Sequence, residues 1–224
     1  MRRLIETLLI VTLAAGCLRA GEPQRDHALR FEPVKVVSTT PTTYPIASVA
    51  SGTVILEAAV GKSGKIENIR VVHGILSLTE PAERSLQEWK LEPARIDGKP
   101  VEAALVTAFT FTRYGLNSSI WKAGEPGSQE KGQSLPIEPV KVISTTPAWY
   151  PVAGTVTGTV ILKVSVDESG AIKNIEVMHG IASFTRVATS TVRQWKFAPA
   201  EYSGKPITSS MIASFVFAFS GTRR

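Results

Sequence analysis

The 224-residue chain is 43% hydrophobic and 20% charged, enough apolar content for one large or two small globular domains, which excludes wholesale disorder, a coiled coil and a collagen-like rod. One cysteine excludes an internal disulfide framework, and that cysteine and the three histidines show none of the paired spacings of a Cys/His zinc cage, so no cofactor or metal is expected. The formal charge of +6 is scattered: nine Lys and Arg face nine Asp and Glu from Glu32 to Arg113, and seven face five from Glu138 to Phe217. Neither half carries a basic stripe interleaved with aromatics, which argues against a nucleic-acid partner.

Arg2 and Arg3 precede a mostly apolar run, Leu4 to Leu13, that leads to Ala14, Ala15 and Gly16, the charged, apolar and small-residue order of a secretory signal. From Leu4 to Gly16 the run is 13 residues long and contains Glu6, short of the roughly 20 apolar residues that span a bilayer. A cleaved signal therefore fits better than a retained anchor. The stretch Leu13-Ala14-Ala15-Gly16-Cys17 resembles the lipobox of bacterial lipoproteins, which implies lipidation of Cys17 after cleavage and membrane attachment through it. Leucine stands four places before the cysteine rather than the usual three, and plain cleavage, with Cys17 an inert part of the signal, is the alternative. Residues 1–20 are read as signal and 21–31 as a tether.

Beyond residue 31 the chain repeats. Glu32 opens EPVKVVSTTPTTYP, which returns at Glu138 as EPVKVISTTPAWYP, a shift of 106 positions that then holds without a gap. Gly52 pairs with Gly158, His73 with His179, Trp89 with Trp195 and Pro100 with Pro206. Self-similarity over roughly 80 residues means two copies of one domain, too long for a solenoid unit. The copies span 32–113 and 138–220. The intervening 114–137 is rich in Gly, Ser, Glu and Gln and reads as a flexible linker, with Trp121 as its docking residue.

Within each copy the hydrophobic period changes in a fixed order. Thr53 to Val60 alternates, placing Val54, Leu56, Ala58 and Val60 on one face, as Val160, Leu162, Val164 and Val166 do in the second copy. The turns Gly61-Lys62-Ser63-Gly64 and Asp167-Glu168-Ser169-Gly170 lead to second strands, Ile66 to His73 and Ile172 to His179, forming hairpins. Leu78, Ala82, Leu86 and Trp89 recur at helical spacing from Ser77 to Trp89, as do Phe184, Ala188, Val192 and Trp195. Ser77-Leu78-Thr79-Glu80 has capping-box form, with Pro81 expected in the first turn. A last strand runs from Val101 to Thr112, with Leu105, Phe109 and Phe111 on one face, matched by Met211, Phe215 and Phe217. The predicted fold class is α+β: two small domains, each a three-stranded antiparallel sheet with one helix, in the order β-β-α-β.

The sequence YP, the GTVIL strand, a Gly-containing turn, a helix ending QEWKLEPA or RQWKFAPA, then DGKPV or SGKPI and a Phe-x-Phe strand resembles the carboxy-terminal domain of TonB proteins, in both copies. The resemblance implies a periplasmic, non-enzymatic protein-binding module. In such domains an edge strand takes up an extended segment of an outer-membrane receptor through main-chain hydrogen bonds. The resemblance puts that edge on the last strand, with partner contacts at Val106, Ala108 and Thr110 of the first copy and Ile212, Ser214 and Val216 of the second. The membrane helix and proline-rich spacer of energy-transducing TonB proteins have no counterpart here. Partners are thus outer-membrane receptors or other envelope proteins, with avidity if two copies act together. The alternative is a cell-wall or structural scaffold, binding peptidoglycan or self-associating through free edges.

Catalysis finds little support. His73 and His179 end equivalent strands, but sequence spacing sets no carboxylate or nucleophile beside them, and Ser63 and Ser169 are turn residues. There is no phosphate-cradling Gly loop followed by Lys, no HExxH and no Gly-x-Ser-x-Gly. The copies differ in charge, with Glu57, Ala59 and Arg70 in one against Lys163, Ser165 and Glu176 in the other. That fits either distinct partners or neutral drift.

Overall fold

A computed structural model describes residues 30–115, 120–123, 137–151 and 156–219. In the first copy, β1 (Phe31–Glu32) and β2 (Lys35–Ser38) precede a hairpin of β3 (Gly52–Val60) and β4 (Ile66–His73). Helix α1 (Leu76–Gln87) follows, then three short strands, β5 (Lys90–Glu92), β6 (Ala94–Ile96) and β7 (Lys99–Val101), and the long β8 (Ala103–Arg113). A two-residue strand, β9 (Trp121–Lys122), lies between the copies. The second copy repeats the order with β10 (Ile137–Glu138), β11 (Lys141–Thr145), β12 (Gly158–Val166), β13 (Ile172–His179), α2 (Ala182–Val192), β14 (Lys196–Ala198), β15 (Ala200–Tyr202), β16 (Lys205–Ile207) and β17 (Ser209–Ala218).

The long strands do not form two separate three-stranded sheets as expected. They join in one six-stranded sheet of order β13-β12-β17-β8-β3-β4, in which every neighbouring pair is antiparallel except the central one. There β8 and β17 run parallel, in register from Thr107↔Ile212 to Arg113↔Ala218. A two-fold relation between parallel neighbours has its axis along the strands, so it exchanges the two faces of the sheet. Leu78, Ala82 and Leu86 of α1 accordingly pack on one face, and Phe184, Ala188 and Val192 of α2 on the other.

Each face is then a core built by both copies. Val54, Leu56, Phe109 and Phe111 meet α1 together with Ile161, Ile212 and Val216 from the second copy. Val160, Leu162, Phe215 and Phe217 meet α2 together with Ile55, Val106 and Ala108 from the first. Fully burying a branched aliphatic side chain contributes about 1.5–3 kcal/mol, so the borrowed residues are a large part of each small core. Loops cross over as well: Thr112 Oγ1 donates to the Ala148 carbonyl at 3.2 Å, and Thr159 Oγ1 donates to the Thr42 carbonyl at 3.1 Å.

Local details depart from the sequence expectations in instructive ways. The capping box does not form. Ile75 is the N-cap, and Thr79 Oγ1 both accepts from the Ile75 N–H and donates to its carbonyl, each at 2.9 Å. Ser77 is instead held by Ser48, hydroxyl to hydroxyl at 2.8 Å, and Pro81 lies inside the helix rather than in its first turn. Trp89 follows the helix and is buried, its indole N–H donating to the Thr40 carbonyl at 3.2 Å. The segment before β8 is a hairpin of its own, because Asp97 (φ 49) and Gly98 (φ 78) make a two-residue turn with both φ positive. Ser203 and Gly204 repeat it. At Gly64, with φ +80, an added Cβ would stand 2.3 Å from the Leu91 carbonyl oxygen, so the β3–β4 turn is seated on β5.

Phe109→Ala and Phe215→Ala should each cost about 3–5 kcal/mol in urea unfolding. Fluorescence of Trp89 and Trp195, one in each core, should report a single common midpoint in either variant, whereas separate midpoints would contradict the shared cores. In the β12–β13 turn, Asp167 Oδ1 accepts from the Ser169 hydroxyl and from the N–H groups of Ser169 and Ala171, chiefly the hydroxyl bond holding its carboxyl below the ordinary aspartate range. A folded-state value below the unfolded one stabilises above the unfolded pKa and is lost as pH falls through the folded one. Ser169→Ala should raise the Asp167 titration midpoint followed by carboxyl NMR; an unchanged midpoint would contradict the assignment.

Candidate protein-binding edges

The six residues expected on an open edge lie in the middle of the sheet. Val106 is 4% exposed, Ala108 and Thr110 are fully buried, and Ile212, Ser214 and Val216 are each 1% exposed. Their strands are paired on both sides, β8 with β3 and β17, and β17 with β12 and β8. This corrects the expected location of the edge. The physical reason is that duplication places a second unpaired strand of matching length in the same chain, and the two open edges satisfy each other's backbone groups. The sequence carried a signal for it: Leu105-Val106-Thr107-Ala108-Phe109 and Met211-Ile212-Ala213-Ser214-Phe215 are nearly apolar throughout, the pattern of strands covered on both faces rather than one.

The open rims are the other ends of the sheet. Among the described residues, β4 is paired only with β3 and β13 only with β12. Beside β4 lies a cleft of about 810 Å³, lined along the strand by Lys65 to Ile69, along α1 by Glu83 and Gln87, and at its floor by Trp89. An extended chain laid there would meet unpaired strand backbone on one side and the flank of a helix on the other, an arrangement suited to strand addition. The equivalent positions around β13 differ in charge. Lys65, Glu67, Glu83, Gln87 and Lys90 are replaced by Ala171, Lys173, Thr189, Arg193 and Lys196, so a formal balance of zero becomes +3.

The charge differences between the copies noted in the sequence are partly one compensated exchange. Glu57 stands opposite Arg70 across the β3–β4 pair, bridged at 2.7 Å with both side chains mostly buried, and Lys163 stands opposite Glu176 at the same place in β12–β13. Opposite charges facing across strands stabilise a hairpin whichever member is positive. Reversing Glu57 to Lys should therefore lower the midpoint of thermal unfolding by several degrees. Adding Arg70→Glu should recover most of the loss, and failure of the double variant to recover would show that the pair is not an independent unit.

The remaining sequence candidates take structural places. His73 ends β4 with its ring centroid 5.2 Å from that of Trp121, and His179 ends β13 exposed to solvent. Ser63 and Ser169 lie in the hairpin turns. Trp121 is buried at 4% exposure, and its strand extends β11, with Ser144↔Lys122 and Thr145↔Trp121 in register. Cys17 lies outside the described residues. Among the described residues, no three His, Cys, Asp or Glu side chains gather as a metal site would need, and no helix is long and apolar enough to cross a membrane.

Comparison with known proteins identifies the repeated unit. The family model of the Gram-negative bacterial TonB protein C-terminal region matches twice, over residues 42–112 and 153–219, while no curated protein matches the chain. The family is one of non-catalytic protein-interaction domains, periplasmic in Gram-negative bacteria. With both halves matched over more than half of its length and folded as two interlocked copies, the chain belongs to the TonB C-terminal family.

Proposed function

We propose that the protein recognises extended segments of envelope proteins, outer-membrane receptors among them, by strand addition at the outer rims β4 and β13. The observation that carries this reading is the unpaired β4 edge bordering the cleft formed with α1. Main-chain hydrogen bonds along β4 supply affinity, and the side chains of α1 and Trp89 to Leu91 read alternate residues of the guest. The two rims would sort guests by charge, because the groups around β13 sum to +3 and those around β4 to zero. Lipidation of Cys17 would hold the module at a membrane surface, and transport by TonB-dependent receptors is the process that the family points to. Contacts at Val106, Ala108, Thr110, Ile212, Ser214 and Val216 require β8 and β17 to part first.

A second reading has its own observation. The mutual pairing of β8 and β17 uses the edge that would otherwise bind a receptor, which favours a rigid scaffold in the cell envelope, with peptidoglycan as the ligand.

Titrating the isotopically labelled chain with short acidic and basic peptides of extended character separates these readings. Acidic peptides should shift the amides of β13 and bind there about fivefold more tightly than basic ones, with the gap closing as salt screens it. Shifts confined to β8 and β17 would mean that the central pair opens to bind. No shift with either peptide class, together with retention of the protein on insoluble peptidoglycan, would replace the strand-addition reading with the scaffold.

A further inference from the structure

The six-stranded sheet has two unlike ends. Because β8 and β17 run parallel, their last residues, Arg113 and Ala218, lie at one end, and the pairings Gly52↔Phe111 and Gly158↔Phe217 bring the starts of β3 and β12 there too. Ile55↔His73 and Ile161↔His179 add the ends of β4 and β13, and with them the first residues of α1 and α2. The opposite end holds the β3–β4 and β12–β13 turns, which carry Lys62, Lys65, Asp167 and Glu168. The first end, by contrast, is almost free of charge: segments 39–53, 73–79, 145–159 and 179–185 contain no Asp, Glu, Lys or Arg. Arg113 is the charged residue at the strand ends, donating to the Ser48 carbonyl at 2.7 Å and standing 5.9 Å over the Tyr44 ring. Glu80, which follows the second of these segments, is neutralised by Arg84 on the same helix. Arg223 and Arg224 follow Phe219 by four and five positions, so the charge in the strand ends and directly after them is positive.

Apolar side chains stand out from this uncharged end. Ile46 and Leu76 are 100% exposed, Val49 74% and Trp149 70%, and Val156 and Ile181 are exposed with them. These six make up more than half of the large apolar side chains exposed among the described residues, and both copies contribute. A side chain as free as in an extended chain projects beyond its neighbours, and the cleft beside β4, which begins at Ser63, lies toward the other end. Single apolar tips on neighbouring loops suit a fluid apolar medium, whereas a rigid protein partner would need a matching hollow for each. Aliphatic and indole groups settle at the boundary between lipid headgroups and acyl chains. Loops without carboxylates or ammonium groups enter that boundary with no charge to desolvate, and guanidinium groups beside them complement anionic headgroups.

We propose that this end of the molecule docks on an anionic bilayer surface, with Ile46, Val49, Leu76 and Trp149 inserted at the headgroup boundary. The pseudo-two-fold axis runs along β8 and β17, so the loops of both copies meet the same plane and the sheet stands on end upon it. The rims β4 and β13 then face sideways, clear of the lipid. Docking needs neither a lipid on Cys17 nor a guest on either rim, so it stands or falls apart from the strand-addition reading.

An environment-sensitive fluorophore attached at one position of the full chain, on a Cys17→Ser background, tests the docking. With vesicles of phosphatidylethanolamine and phosphatidylglycerol, a label on Ile46→Cys should move to the blue and brighten about threefold, while a label on Lys62→Cys at the opposite end stays unchanged. No response at residue 46 would overturn the proposal. Equal responses at both positions would also overturn it, because attachment through the apolar amino-terminal run alone does not favour one end. A blue shift at residue 46 that needs no vesicles and grows with protein concentration would replace the bilayer with a second copy. Adding Leu76→Asp and Trp149→Asp, both at exposed sites, should weaken vesicle binding reported from residue 46 about tenfold with the thermal midpoint unchanged, and undiminished binding would contradict insertion. Equal affinity for uncharged phosphatidylcholine vesicles would overturn the choice of an anionic surface.

Discussion

The parallel pairing of β8 with β17 is the constraint on which the rest of the molecule depends. Each copy alone is a hairpin, a helix and a last strand, with one sheet face covered by its own helix and the other bare. Because the central neighbours run parallel, the copies meet with their faces exchanged, and the bare face of each becomes part of the core beneath the other's helix. Ile55, Val106 and Ala108 complete one core while Ile161, Ile212 and Val216 complete the other. Domains of about 80 residues bury a modest share of their surface, and sharing two cores across one sheet relieves that limit.

That arrangement decides where a partner can bind. A strand paired on both sides has no backbone groups left to offer, so the strand addition that we propose falls to the outer hairpin strands β4 and β13 rather than to the last strands. The cleft between β4 and α1 gives a guest something besides backbone to recognise, and the differing charges around the two rims make them chemically distinct. Duplication has thus produced an internally paired dimer within one chain, with two rims facing away from the join.

Much of this was legible in the sequence. The apolar alternation of Val54, Leu56, Ala58 and Val60 placed a strand face that is buried to 2% exposure or less, and the spacing of Leu78, Ala82 and Leu86 placed the buried stripe of α1. The family resemblance came from Trp89, Pro93, Gly98 and the Phe-x-Phe strand, each set by local backbone or packing needs. What was missed is nonlocal. The identity of Val106 or Ile212 cannot say whether its strand ends a sheet or joins two, although the near-absence of polar residues along both last strands marked them as covered on both faces. The short strands β2 and β11 were missed because four or five residues with two apolar positions carry almost no periodic signal; their pairing with β5 and β14 supplies what the pattern lacks. The β6–β7 and β15–β16 hairpins hid behind Pro100 and Pro206, which suggest a break in pairing until the Asp97-Gly98 and Ser203-Gly204 turns show how a proline sits in a short outer strand.

The most direct test of the central claim is the pattern of cross-strand contacts in solution. Backbone NMR of the intact chain should show interstrand nuclear Overhauser effects between residues 107–113 and 212–218 in parallel register, with the amides of β8 and β17 among the slowest to exchange. Two independent three-stranded sheets, seen as no Overhauser effects between the halves and rapid exchange on the outward side of β8, would contradict the shared cores and return the last strands to the role of binding edge.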